Sequence, residues 1–407
     1  MPQDDQSIVV TGLGVVSALG IGIERFHEGL RAGRSGITPI EVPWETGYEV
    51  NRAGIVTDFG LPEFKVGHVG KSGRAARFAR AACRMALEQA GALQTDRCGR
   101  MAVIVGTTWG EPLELEHDLQ SHSADGTESG SRPNRHPFCR LAGDLGTELG
   151  LDGPEFVVST TCAAGNHSIS LASDLIRSGA ADSALAVGVD ALAYLVLLGF
   201  SRLLLQSPDL CQPFDLNRKG TILGEGAGAL LLERADRARS REAGILAEVA
   251  GCGLSCDAAG PFESNAEDVR SLHVAAAQAL REAECDPTDI DYVSAHGSAT
   301  ILNDRKETIF LKSLLGDHAY RVPVSSIKSM IGHAQAAASS LEAVACVLSL
   351  QHDVLYPTIN LDTPDPACDL DYIANTFRER RVDTILSNAF GLGGNNAIVI
   401  FRRWADP

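Results

Sequence analysis

The residues best suited to chemistry are one cysteine and two histidines. Cys162 stands in "STTCAAGNHS", Ser159 to Ser168, with threonines before it and small residues after it. His296 stands in "AHGSATILND" and His333 in "KSMIGHAQAAA". A free cysteine is most often a small buried hydrophobe. A lone histidine is most often a core group bonded to backbone or to a helix cap. Where each residue falls relative to strands and helices separates catalysis from packing.

Around Cys162 the pattern is a strand, "EFVVST" (Glu155 to Thr160), followed by a helix. In that helix Ile169, Ala172, Leu175 and Ile176 recur at helical spacing until Gly179. The next strand is "SALAVGVDA", so Cys162 sits on a strand-to-helix turn. The second half of the chain repeats this grammar twice. "DYVSAH" ends at His296, and a helix opens near the capping residues Asn303 and Asp304. "VPVSSIKSMIGH" ends at His333, with "AQAAASSLEAVACVLSL" as the helix behind it. "TILSNAFGLGGNNAIVIF" closes the chain as a strand, a glycine-rich turn and another strand.

In open α/β sheets such junctions line the active crevice. A helix start presents free N–H groups and about half a positive charge, which lowers the pKa of a cysteine placed there. Ala163, Ala164 and Gly165 leave room for a substrate carbonyl, whose oxygen the same N–H groups can hold. Tight helix–strand packing asks for the same small residues. A nucleophile with two imidazoles suits an acyl transfer that passes through a carbanion. One group loads covalently, and neutral imidazole N–H donors stabilise the enolate left by decarboxylation.

The elements that must position these residues alternate between strand and helix, which gives an α/β class. "SIVVTGLGVVSALG" reads as a strand and a glycine turn. Gly12 and Gly14 match half of a dinucleotide fingerprint, but Ser17 replaces the third glycine and no acidic residue follows at the required distance. Lys71 to Ala90 is helical, "RMAVIVGTT" is a buried strand, and Ser121 to Pro137 is a polar loop or cover.

A chain of 407 residues suggests two domains or one doubled domain. Lys plus Arg is 35 against 52 Asp plus Glu, a net charge of −17, which argues against a general nucleic-acid binder. An acidic partner would need a local basic patch. Arg74, Arg77, Arg80 and Arg84 in "GRAARFARAACR" lie about one turn apart, with Lys71 nearby. A solvated helix face has the same pattern. The N-terminus lacks an apolar signal region and no apolar run approaches the ~20 residues of a membrane span, so a cytoplasmic location is expected. Ten cysteines are scattered without a CxxC, and "CGLSC" has no histidine cluster, so reduced thiols and no metal site are expected.

Four ordered blocks, "STTCAAGN", "AHGSATILNDRKE", "SSIKSMIGHAQAAASSLEA" and "SNAFGLGGNNA", resemble the β-ketoacyl-acyl carrier protein synthases. "DLNRKGTILGEGAGALLLE" resembles their mid-chain segment, so the likeness covers nearly the whole chain. It implies a thiolase fold: two pseudo-symmetric βαβαβαββ halves, residues 1–244 and 245–407, in a five-layer α-β-α-β-α body. By resemblance, Cys162 is the acylated nucleophile, and His296 and His333 hold the malonyl thioester oxygen. Lys328 supports the site, with Glu307 and Glu342 ordering the network. The backbone N–H groups of Cys162 and Leu392 form the oxyanion hole, and Ser298 and Thr300 hold the pantetheine arm. Phe390, Leu392 and Phe200 gate the acyl pocket. No bound cofactor is implied, because the substrates ride on the phosphopantetheine of an acyl carrier protein. The expected assembly is a homodimer or a heterodimer with a chain-length factor.

Two departures shape the expected pathway. Leu392 replaces the aromatic residue common in the "FGFGG" turn, and "HGSATILND" is closer to type II polyketide ketosynthases than the "HGTSTP" form. Both favour polyketide or polyene synthesis over fatty acid elongation. A degradative thiolase would need a second cysteine between Asn388 and Asn396, where none stands. A starter-type enzyme would carry asparagine in place of one histidine. A non-catalytic chain-length-factor-like subunit would have lost Cys162.

Overall fold

Strand β1 (Ile8–Ser17) runs through Gly12 and Gly14 without turning. A Cβ at Gly12 would sit 2.1 Å from the Ala86 carbonyl oxygen, and one at Gly14 would sit 1.8 Å from that of Ala82. These glycines therefore admit helix α1 (Arg74–Gln89) against the strand, where the sequence had suggested a turn. The computed structural model describes residues 6–42, 51–57, 73–93, 98–116, 138–258 and 265–405. Lys71 and the loop from Ser121 to Pro137 lie outside them.

Among the described residues, ten further strands continue the main sheet. They are β2 (Met101–Gly106), β3 (Glu155–Val158), β4 (Ser183–Asp190), β5 (Gly226–Arg234) and β6 (Ala247–Cys256). After these come β7 (Tyr292–Ser294), β8 (Pro323–Ser325), β9 (Asp371–Tyr372), β10 (Thr384–Phe390) and β11 (Asn395–Arg402). Their spatial order is β9-β8-β7-β10-β11-β6-β1-β5-β4-β2-β3, with Gly20–Ile21 paired off β1. Cutting between β6 and β1 leaves β3-β2-β4-β5-β1 on one side and β8-β7-β10-β11-β6, with β9 added at its outer edge, on the other. In both sets the first two pairings are parallel and the last two antiparallel. The sets join where Val9 and Val10 face Glu248 and Ala247. One strand plan is thus used twice.

Side-chain alternation sorts the layers. Along β2, Ala102 and Ile104 enter one hydrophobic cluster, while Met101, Val103 and Val105 enter another. Along β4, Ala184 and Ala186 oppose Leu185, Val187 and Val189 in the same way. In the second set Tyr292, Ile385 and Val399 share the first cluster, and Val293, Leu386 and Ile398 enter a third. The shared cluster holds helices α2 (Ala164–Arg177) and α6 (Ala336–His352) between the two sets. Helix α1 covers the outer face of the first set. Helices α4 (Arg270–Glu282) and α5 (Ile301–Leu315) cover that of the second, while α3 (Tyr194–Arg202) follows β4. This is the five-layer thiolase fold.

Every residue of α6 from Ala336 to Leu350 is buried, as expected for a helix apolar or small on all faces. A Cβ at Gly188 would sit 2.2 Å from Ser340 Oγ, so strand glycines let α6 close on the sheet. Helix α5 begins after Thr300, one turn earlier than Asn303 and Asp304 suggested. Asp304 is no cap: it is buried and accepts the N–H of Phe214 at 2.9 Å and of Ala299 at 3.2 Å. Among the described residues, no helix is long and apolar enough to cross a membrane.

Gly14→Ala should lower stability by about 3 kcal/mol, because the helix backbone cannot retreat from the new methyl group. Gly244→Ala, in open space, should change it by less than about 0.5 kcal/mol. Urea midpoints of the two variants test this, and equal midpoints would show that α1 yields.

Candidate active site

Edge strand β3 ends at Val158, and the chain enters a single tight turn, Thr161–Ala163, before α2 starts at Ala164. Thr161 has φ 53°, a left-handed conformation that a β-branched residue rarely adopts. This kink lifts Cys162 to the start of α2. Gly391 packs so close that a Cβ there would meet Thr161 Oγ1 at 2.2 Å. The "FGLGG" turn is thereby pressed onto the cysteine turn, and Thr161 Oγ1 donates to the Leu392 carbonyl at 3.2 Å.

Cys162 is only 6% exposed. Burial pushes its thiol up to about 11, against the pull of the N–H groups of Leu392 and of Cys162 itself and the charge of Lys328. The expected lowering by the helix start is corrected here, since desolvation outweighs it. The backbone N–H groups of Leu392 and of Cys162 itself are the ones that act on the thiol.

His296 follows β7 and His333 follows a short helix, Lys328–Ile331, that itself follows β8. Their rings lie 5.4 Å apart at 78°. Both pKa values are pushed well below the usual histidine value, first by burial and then by Lys328, so both imidazoles are neutral. The Gln335 N–H donates to His333 Nδ1 at 3.2 Å, which leaves the ring proton on Nε2.

Glu307 accepts the backbone N–H of His296 and of Gly297, each at 2.8 Å, and the Asn388 amide at 3.0 Å. Burial raises its pKa to about 7 against those bonds. Lys328 is fully buried, donates to the His296 carbonyl at 2.6 Å and pairs with Glu342. Burial likewise raises Glu342 to about 7 while the ammonium pulls it down.

Cys162, His296 and His333 all line one cavity of about 390 Å³. Ser298, Thr300, Phe200, Phe390 and Leu392 line it too, so the predicted arm and gate positions share that space. Ser298 Oγ and Thr300 Oγ1 lie 3.0 Å apart. Leu392 is 37% exposed and Ile301 is 66% exposed, which places the mouth on their side. Glu307, Glu342 and Lys328 stand behind the wall.

The basic stripe is not assembled. Arg74 is buried, donates to Glu225 through Nε at 2.9 Å and reaches the Val56 carbonyl at 3.0 Å. Its position faces the core side of α1, so it is a structural ion pair. Arg80 pairs with Glu148, and Arg84 with Glu88 at 3.1 Å. Arg77 is half-buried between Arg74 and Arg80, whose charges help to lower its pKa after burial itself.

Two residues that brace the site from outside its lining were not singled out in the sequence. Asp190, buried at the end of β4, accepts Thr107 Oγ1 at 2.8 Å and Ala336 N–H at 2.9 Å. Arg218 reaches Asp365 at 2.6 Å and the Ile301 carbonyl at 3.2 Å, which ties the mouth to the body. Both contacts cross long sequence separations that local patterning does not reveal.

The fold and this cavity define a condensing enzyme of the thiolase fold. Residues 5–238 match the beta-ketoacyl synthase N-terminal domain and 246–362 its C-terminal domain. Nodulation protein E of Rhizobium leguminosarum bv. trifolii is 38% identical, over 98% of this chain and all of its own. A solved ishigamide ketosynthase/chain length factor is 39% identical with TM-score 0.90, covering 98% of this chain and 100% of that one. A type II polyketide acyl-carrier protein in complex with its ketosynthase bound to the hexaketide matches at 31% and TM-score 0.90, over 98% and 100%. The chain belongs to the β-ketoacyl synthase family and is an acyltransferase that forms carbon–carbon bonds.

Removing Glu342 strands a buried ammonium. Glu342→Ala should cost about 3–5 kcal/mol, and Glu342→Gln, which keeps an acceptor, should cost less. Thermal or urea unfolding of both variants decides; equal, small losses would mean that Lys328 finds another partner.

Proposed function

We propose that the chain loads an acyl group on Cys162 and extends it by two carbons from a malonyl carrier protein, in type II polyketide or polyene synthesis. The observation that carries this is the convergence of Cys162, His296 and His333 on one cavity, with both imidazoles neutral. In the first half-reaction Cys162 attacks the thioester of the incoming acyl carrier. The thiol proton ends on the departing pantetheine sulfur. The N–H groups of Cys162 and Leu392 hold the tetrahedral oxyanion.

In the second half-reaction malonyl carrier enters the same cavity, its arm bonded by Ser298 and Thr300. The carbon–carbon bond to carbon dioxide breaks, and its electron pair becomes an enolate. His333 Nε2–H and His296 hold the enolate oxygen. The carbanion attacks the acyl-Cys carbonyl, the carbon–sulfur bond breaks, and a 3-ketoacyl carrier leaves with a thiolate on Cys162, which then takes a proton. Lys328, Glu307 and Glu342 act behind the histidines. Leu392, Phe390 and Phe200 bound the acyl path. No step calls for a metal or redox group.

The carrier protein and the dimer partner also belong to this reading. A solved relative is an acyl-carrier protein in complex with its ketosynthase, and another is a ketosynthase/chain length factor. Edge strand β3 ends the sheet with Phe156 43% exposed, an open edge that a partner subunit can extend. The halves 1–244 and 245–407 fit the doubled strand plan and the gap between the two family matches. A cytoplasmic location fits carrier-borne substrates.

Incubation with a short acyl carrier and malonyl carrier, with and without a cysteine-less homologue, tests the proposal by intact mass. An acyl adduct that Cys162→Ala abolishes, together with a ketoacyl carrier longer by two carbons, is the expected result. Dependence on the homologue would favour the heterodimer. An unmodified enzyme under both conditions would sink the reading in favour of a silent chain-length subunit.

A further inference from the structure

His333 is useful as a donor only if its proton sits on Nε2. That tautomer depends on one backbone N–H, that of Gln335, aimed at Nδ1. Gln335 has φ 55° and ψ −119°, the conformation of the first central residue of a type II′ turn, where glycine is the usual occupant. A fully buried glutamine held there is strained, and neighbouring contacts must offset that strain.

Those contacts come from the other half of the molecule. Trp109, just beyond β2, donates its indole N–H to the Gln335 side-chain oxygen. The next residue, Ala336, donates its backbone N–H to Asp190 Oδ2 at 2.9 Å. Asp190 in turn gathers the loop that carries the tryptophan. It accepts Thr107 Oγ1 at 2.8 Å, Thr108 N–H at 3.0 Å and Trp109 N–H at 3.1 Å. Neither Trp109 nor Asp190 is among the residues lining the cavity.

We infer that Trp109 and Asp190 are positioning residues for decarboxylation: they latch Gln335 into its glycine-like turn and so fix the donor tautomer of His333. The inference rests on the condensation reading above. It separates the half-reactions. Loading of Cys162 uses N–H groups of Cys162 and Leu392, whereas enolate stabilisation uses His333; Trp109 touches only the second, while the Asp190 charge also raises the Cys162 thiol, so removing that charge does not slow loading.

The test uses the full-length protein and measures two rates, acylation of Cys162 by intact mass and carbon dioxide release from malonyl carrier. Trp109→Phe keeps the ring but removes the donor. It should slow decarboxylation about tenfold, the worth of one well-placed hydrogen bond, and leave acylation within about twofold. Asp190→Asn keeps the shape with one fewer carboxylate oxygen and should shift the same ratio in the same direction. Gln335→Gly in the Trp109→Phe background should restore decarboxylation, because glycine adopts the turn without a latch. Losses of equal size in both half-reactions, no loss in either single variant, or failure of glycine to rescue would each overturn the latch. A wild-type protein inert in both half-reactions would instead overturn the condensation reading, and the latch with it.

Discussion

The site depends on one buried cation. Lys328 has no exposed surface, and Glu342 and the His296 carbonyl are its partners. Taking an ammonium and a carboxylate out of water costs several kcal/mol each, and a well-packed apolar pair would serve stability as well or better. Its presence is better explained by what its charge does nearby. It lies close enough to depress both histidines and to oppose the rise of the Cys162 thiol. Three groups from different strand ends thus feel one field. Moving the cation would disturb all three together.

The doubled fold supplies the positions but not the symmetry of function. The third strand of the first set leads to Cys162, and the third strand of the second leads to Lys328 and His333. The second strand of the second set leads to His296, whereas the equivalent strand end in the first set leads to Thr107 and Trp109. There the junction has no reactive side chain. It holds Asp190 and the start of α6 instead. One half therefore contributes the nucleophile and a brace, and the other contributes the enolate donors. Helix α6 is the physical link between them, and its small residues and the strand glycines facing it allow that close approach.

Much of this was legible in the sequence because strand-to-helix junctions leave local traces. Alternation and helical spacing placed Cys162, His296 and His333 at such junctions, and family resemblance assigned Lys328, Glu307 and Glu342. What stayed hidden were contacts between distant segments. Arg74 looked like part of a surface stripe because helical periodicity gives a face but not what covers it. Glu225, 151 residues away, covers it. Gly12 and Gly14 looked like a turn because glycine marks both turns and close approaches. The thiol's pKa was misjudged because a helix start can be recognised locally, while the depth of burial cannot.

Burial acts in opposite senses on acids and bases, and the site uses both. It raises Cys162 to about 11 and Glu307 to about 7, and it lowers the two imidazoles. The thiol and both imidazoles are thereby held uncharged at neutral pH. An uncharged imidazole donates a hydrogen bond without protonating the enolate it holds. The negative charge of the reaction then arrives with the substrate and develops on substrate oxygen. Beside the buried cysteine and histidines, fixed N–H donors act on that charge at reduced dielectric, where they are stronger than in water. The desolvation that makes the resting cysteine a poor thiolate is the same desolvation that gives the donors their effect once charge appears.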